Sequence, residues 1–384
     1  LIYQIPFKII HNINKILNPK DDYYESIQDS IIDGIERRTG DVREKSELKK
    51  FIKKYFIEFI ARSIYLIYLI EILEFFIQFE EINTIFCDQF SGYPFGGISA
   101  YCIKKNISFF YPSFQERAFD NSSNINFVIS KNICDSRLAL PHDLAYLSNI
   151  KDETLNKFLN LIKQDYTLKR DALSNPIKSK FFSKKQQDNF LIREKQKDFI
   201  NFYNKKTIKK QKKNGIVFMH LLTDCPRKRC EGIWLNNYLE WLNLTIKTCA
   251  INKEINWFFK AHPFETIYPI RENINKDIKK RIIKSGFSYI KSEENLLHNE
   301  ISKIASVIVT CHGTCKMEYP ALYGIPVISC IGYKELAYDA STQPFTAKNE
   351  TEYKNLILNA QNLSLTEREI RKASELLVFY KFIS

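Results

Sequence analysis

The stretch SVIVTCHGTCKMEYPALYGIPVIS, Ser306–Ser329, constrains the fold more tightly than any other part of the chain. Val307, Ile308 and Val309 form a β-branched apolar run, the composition of a strand covered on both faces. A Cys-His-Gly-Thr turn follows, and Gly313 lets the backbone bend where a side chain would obstruct it. Thr314 is placed to cap a helix that Gly324 ends, and Pro326 opens a second apolar strand to Cys330. A helix that starts directly after a strand turns unpaired N–H groups and a positive dipole end toward the sheet edge, an arrangement suited to phosphate. An ordinary βαβ unit without a ligand satisfies the same pattern.

The remainder of the chain repeats this alternation. Thr84–Cys87 reads as a strand ending at Asp88, followed by the loop SGYPFGG, a helix from about Ile98 to Lys105 and the strand ISFFYP. From Gly215 the order is strand (IVFMHLL), charged loop (TDCPRKRCEG), helix (Ile233–Ala250), strand (INWFFK running into AHPFE), short strand (Ser288–Ile290) and helix (Leu296–Ile304). After the opening motif come a helix over Glu350–Asn362 and another over Thr366–Phe382. Strands alternating with helices imply parallel sheets with both faces covered. The fold class is therefore α/β. Lys49–Phe79 is a long helical pattern whose apolar middle contains Glu71 and Glu74, which favours a buried core helix over a bilayer span and leaves a membrane-surface helix as the second choice.

Charge is concentrated rather than spread. Between Lys178 and Lys213 stand thirteen Lys/Arg against Asp188, Glu194 and Asp198, so this segment holds +10 of the formal +13. Such a run suits a polyanionic acceptor or an anionic membrane surface; it equally suits a solvated helix face and linker. Aromatic–basic motifs of nucleic-acid binders do not accompany it, so nucleic acid is not an expected partner. The nine cysteines form no CxxC pair, and 225/230 and 311/315 lack histidines at zinc-finger spacing. Reduced thiols in a cytoplasmic protein are expected, and no structural metal. The chain begins at Leu1 rather than Met, which leaves a preceding leader or anchor open.

Residues able to do chemistry gather at strand ends, where ligands of open α/β sheets bind. Lys260, His262 and Pro263 close the INWFFK strand, and Thr310, His312, Gly313 and Thr314 close and follow the VIVT strand. A lysine and histidines at adjoining strand ends can neutralise and hydrogen-bond a phosphate. Glu318, one turn into the helix, is placed to accept hydrogen bonds from a ribose, or else is a surface carboxylate. In the first half, Asp88 ends a strand beside a glycine-rich loop; it reads as a general base or a loop cap, with Glu116 and Asp120 next in line.

FFKAHP together with TCHGTCKMEYPALYGIPVI resembles bacterial glycosyltransferases of the GT-B fold that build capsular and surface polysaccharides, closest to Kdo transferases and more distantly to sialyl- and polysialyltransferases. TDCPRKRCEGIWLNNYLEWLNLTIK resembles the capsule-protein pattern ahead of the His-Pro strand, so the likeness spans roughly residues 215–338. It implies two Rossmann-like domains with parallel sheets facing a central cleft. The implied domains are an acceptor-side domain (1–177), a basic linker (178–213), a nucleotide-sugar domain (214–365) and a terminal helix (366–384) packing back on the first domain. His262 and Pro263 would contact the donor's cytidine monophosphate; His312, Gly313 and Thr314 would hold its phosphate, and Glu318 would be the helix acid. The partners implied are a nucleotide-sugar donor, CMP-linked, and a glycan or glycolipid acceptor, with the enzyme cytoplasmic or peripheral on the inner membrane. No DxD-like motif stands out, so transfer without metal or cofactor is expected. An Asp/Glu-Asp/Glu-Gly acid motif of the sialyltransferase type is missing from the first domain. A CDP-glycerol-type polyol phosphotransferase would need a Ser/Asp cluster where this chain has CHGT. UDP- or GDP-sugar transfer is also compatible with these residues, as is a non-catalytic, membrane-associated assembly protein on the same scaffold.

Overall fold

The computed structural model describes residues 5–79, 82, 84–86, 93–116, 123–130, 151–168, 212–223, 234–262, 265, 270–292, 298–311, 313–330 and 344–378, with backbone alone at 5–7, 86, 108–130 and 164–168. Its C-terminal half is built on a six-stranded sheet. The strands are β4 (Lys213–Phe218), β5 (Ile255–Lys260), β6 (Ser288–Ile290), β7 (Val307–Thr310), β8 (Val327–Cys330) and β9 (Thr346–Ala347). They lie in the order β6-β5-β4-β7-β8-β9, every pair parallel. Counted from β4, that is 3-2-1-4-5-6, the order of a dinucleotide-binding doubly wound sheet, which reverses direction between β4 and β7.

Alternation along the central strands shows why this sheet forms. Ile216, Phe258 and Ile308 stand side by side in register and bury on one face with Tyr319 and Ile325; Val217, Phe259 and Val309 bury on the other with Trp241 and Ile282. All six are at most 4% exposed. Helices cover both faces: α7 (Tyr238–Ile251), α8 (Glu272–Lys284) and α11 (Glu350–Leu358) on the second, α9 (His298–Ser302) and α10 (Cys315–Tyr323) on the first. The helix expected from Ile233 starts later, because Asn237 caps it by accepting from the Glu240 N–H at 2.9 Å. Trp234 and Leu235 therefore precede α7 and still pack on the core.

The N-terminal half is mainly helical. It comprises α1 (Ile5–Leu17), α2 (Asp22–Thr39), α3 (Leu48–Lys54), α4 (Phe56–Phe79), β1 (Thr84–Phe86), α5 (Phe95–Lys104), β2 (Ser108–Glu116), β3 (Ser123–Ser130) and α6 (Asp152–Leu168). β1, α5 and β2 form the expected strand–helix–strand unit with parallel strands. β3 departs from the all-parallel expectation and runs antiparallel to β2. Only residues 117–122 join the two, and a parallel return needs a dozen or more. The long pattern from Lys49 is two helices broken at Tyr55, and α4 buries one face only, with Phe59, Ser63, Leu66, Ile67 and Ile70. Among the described residues, no helix is long and apolar enough to cross a membrane. The terminal helix α12 (Glu367–Val378) packs Leu376 and Leu377 against Met317 and Leu322 of α10 and Leu155 and Leu159 of α6.

Residues 39–45 join the two halves. Val42 is buried in the core of the C-terminal sheet. Asp41, fully enclosed, accepts from Lys54 at 2.6 Å and the Tyr55 hydroxyl at 2.8 Å, and pairs with Arg43 at 2.8 Å and Arg271 at 3.3 Å. Arg271 also donates its backbone N–H to the Gly40 carbonyl, and Asn237 donates to the Arg43 carbonyl at 2.6 Å. Burial pushes the Asp41 pKa up, but the Lys54 and Tyr55 hydrogen bonds and the Arg43 and Arg271 charges outweigh it and leave the carboxyl below its usual value. Asp41→Asn is expected to cost about 2 kcal/mol in denaturant unfolding, because an enclosed amide replaces the charge-assisted hydrogen bonds of the carboxylate, while Lys54, Arg43 and Arg271 stay partly hydrated. A group with a lowered folded pKa contributes stability that is complete above the unfolded value of about 3.9 and lost as pH falls through the folded one. Wild type should therefore lose more stability than Asp41→Asn below about pH 4; equal acid sensitivity would show that the fold does not hold Asp41 below its usual pKa.

Candidate functional site

Where the sheet reverses direction, the β4, β5 and β7 carboxyl ends stand side by side. Register places Lys260 and Thr310 on either side of Phe218, on the α10 face of the sheet. Two residues past Phe218, His220 brings its Nε2 to 3.5 Å from the Thr310 hydroxyl. Its ring stacks on Tyr238 at 4.5 Å and meets Trp241 edge-on at 6.0 Å, so α7 fixes its orientation. His220 and His262 line one cavity together with Glu265, Asn275, Ile270 and Ile278. Glu265 is held by Asn275 at 2.7 Å and Tyr289 at 3.3 Å.

Lys260 is 7% exposed, its ammonium 5.6 Å from the Phe218 ring centre. Burial lowers its pKa to about 8, opposed weakly by Cys315. No described carboxylate pairs with it. The Cys315 thiol, in the first turn of α10, is pushed up to about 12 by burial and by Glu318, against a hydrogen bond with Thr310. Burial thus favours the neutral thiol over the thiolate.

Between β7 and α10 the backbone passes through Gly313 with φ 134°, a conformation that side-chain-bearing residues rarely adopt. A Cβ there would lie 3.9 Å from the Cys315 sulfur and 4.0 Å from the His220 ring, so His220 faces the turn and space is not the obstacle. Thr314 opens α10 with φ −63° and ψ −24°. Contrary to expectation its hydroxyl makes no capping bond, because a cap residue must be extended to reach back, and Thr314 is already helical. Gly324 ends the helix in left-handed backbone as the sequence predicts. Glu318 is 4% exposed, not a surface carboxylate; the His298 ring nitrogen lies 3.6 Å from it, and the ring stacks on Tyr319 at 5.2 Å.

The structure thus brings Lys260, Thr310 and Gly313 to one sheet edge, with His262 on the adjoining cavity and Thr314 and Glu318 on the helix beyond. Pro263, His312, Asp88 and Asp120 lie outside the described residues, as does the basic run from 178 to 211. Glu116 ends β2, paired in register with Ser123, and only its backbone is described. Sequence reasoning missed His220, Glu265, Asn275 and His298. His220 carried a signal: it ends its strand as His262 ends the neighbouring one. Among the described residues, no three His, Cys, Asp or Glu side chains gather as metal ligands would.

No family model matches the chain, and no curated protein matches it significantly. Among solved structures it is similar to the UDP-GlcNAc 2-epimerase of Neisseria meningitidis bound to UDP-GlcNAc, at 11% identity and TM-score 0.32, over 84% of this chain and 80% of that one. The UDP-GlcNAc 2-epimerase of Methanocaldococcus jannaschii with UDP-GlcNAc and UDP gives 13% and 0.30, over 83% and 80%. A UDP co-structure of S. aureus MnaA gives 12% and 0.29, over 82% and 76%. At such scores the functional reading rests on this chain's own residues.

Replacing Gly313 by Ala is expected to lower stability by about 1–3 kcal/mol through backbone strain alone, since the added methyl meets only ordinary contacts. An unchanged unfolding midpoint would show that this turn relaxes freely.

Proposed function

We propose that this chain is a glycosyltransferase of GT-B-like architecture. It takes a nucleotide-activated sugar, CMP-linked, and passes the sugar to a glycan or glycolipid acceptor. The observation that carries the reading is Lys260: a nearly enclosed cation without a described carboxylate partner, at the end of a central strand beside the reversal of the sheet. Burying an unpaired charge is costly, and an anion bound there would offset that cost. Thr310, the Gly313 turn and the start of α10 supply the polar groups around it, and His220 and His262 supply the imidazoles.

Sugar transfer leaves negative charge on the departing nucleotide phosphate. A lysine, two histidines and oriented N–H groups stabilise that charge as it grows, which lowers the barrier rather than only tightening binding. In this reading a first-half carboxylate, Asp88 ahead of Glu116 and Asp120, takes the proton from the acceptor hydroxyl. Glu318, beside His298, serves the ribose. No bound cofactor enters the scheme.

Thermal shift with CMP, CDP, UDP and GDP tests the donor class. CMP is expected to raise the melting temperature, by about 2.7 kcal/mol of stabilisation at a hundredfold excess over Kd. Lys260→Met should weaken CMP binding roughly tenfold or more, the value of a hydrogen bond to a charged group. Lysine is cationic below its pKa, so nucleotide protection should decline as pH rises past about 8. Asp88→Ala should keep the shift and lose turnover. A protein that no nucleotide stabilises would overturn the proposal; normal turnover in Asp88→Ala would remove only the base assignment.

A further inference from the structure

The solvent side of α4 is apolar from end to end. Ile57 is 86% exposed and Phe79 59%, and between them Ile64, Tyr65, Tyr68, Phe75 and Phe76 are each more than two-fifths exposed. With Ala61 these positions recur at helical spacing and form one stripe, opposite the buried Phe59, Ser63, Leu66 and Ile70. The stripe runs roughly 33 Å at 1.5 Å per residue, far more than scattered exposed apolar residues would give. Of the charged residues of α4, Glu58 and Glu71 border the stripe. The helix has three carboxylates, and each is held to the side: Glu58 by Arg38 and Arg62, Glu71 by Lys8, Glu74 by Lys105. At its head, Lys49, Lys50 and Lys53 of α3 are exposed.

We infer that α4 seats the protein flat on an anionic lipid surface, with the Ile/Tyr/Phe stripe in the headgroup–acyl boundary and the α3 lysines on lipid phosphates. Tyrosine and phenylalanine suit that boundary, and basic residues beside an apolar stripe bind anionic lipid. The opposite face of α4 is fixed in the N-terminal core, so the helix lies along a bilayer and does not enter it end-on. A second copy is the poorer occupant. It would set Lys49, Lys50 and Lys53 against a helix whose carboxylates already have partners, whereas lipid phosphates are complementary to them. Such a lipid seat is independent of the proposed chemistry.

The test is co-sedimentation of the full chain with phosphatidylcholine vesicles and with phosphatidylcholine/phosphatidylglycerol vesicles, at low and high salt. The mixed vesicles should bind about tenfold or more tightly at low salt, with the preference shrinking as salt screens it. The triple variant Ile57→Asp/Tyr68→Asp/Phe75→Asp should stay folded, since the three side chains lie on the solvent side of α4, and lose binding at least tenfold. Lys49→Glu/Lys50→Glu/Lys53→Glu should remove the preference for the anionic vesicles; it leaves residues 178–213 untouched and so separates α3 from that basic run. If the triple variant fails to fold, the lysine variant alone decides. Equal binding by folded variants and wild type, no binding to either vesicle, or a dimer in sedimentation velocity that the triple variant dissolves would each overturn the inference.

Discussion

The carboxyl ends of three central strands are what the rest of this molecule is arranged around. β4, β5 and β7 are buried on both faces, so their side chains must be apolar until the strands run out. Phe218, Lys260 and Thr310 form the row where that requirement ends, and polarity begins in the same row. A lysine one row deeper would have no route to solvent or ligand. One row further out it would be hydrated, with an ordinary pKa and little preference for an anion. Its depressed pKa follows from this intermediate depth.

A second constraint sets what stands beside that edge. The segment 39–45 leaves α2 through Gly40 and is caught by the C-terminal half on both sides: Arg271 from the start of α8, and Asn237, Glu240 and Asn243 from α7. α7 also carries Tyr238 and Trp241, which orient His220, and Ile270 and Asn275 of the cavity flank Arg271. The elements that position the site are thus those that hold the N-terminal helices.

Much of this was legible in the chain itself. The run Val307–Val309, the Gly313 turn and the Gly324 stop each have one inexpensive backbone solution, and the parallel C-terminal sheet follows from their repetition. Lys260 and Thr310 could be placed because strand ends are marked by a change from apolar to polar. His220 obeys the same rule, but the apolar residues on either side of it in MHLL disguise the end of the strand. Glu265, Asn275 and His298 depend on contacts between residues distant in sequence, which no local period reports. The Thr314 cap failed because capping depends on backbone angles that a Ser/Thr at the right spacing does not guarantee. α4 enters the core as expected, but with one face only; composition does not tell which face meets the core.

Val42 has a consequence for how the molecule can move. This residue belongs by chain to the helical half, yet its side chain completes the core under the C-terminal sheet. Pulling the halves apart at that point would open a void in one and take Arg271 from the enclosed Asp41 of the other. The joint is therefore built as a weld rather than a hinge, and relative motion has to be accommodated elsewhere in the fold.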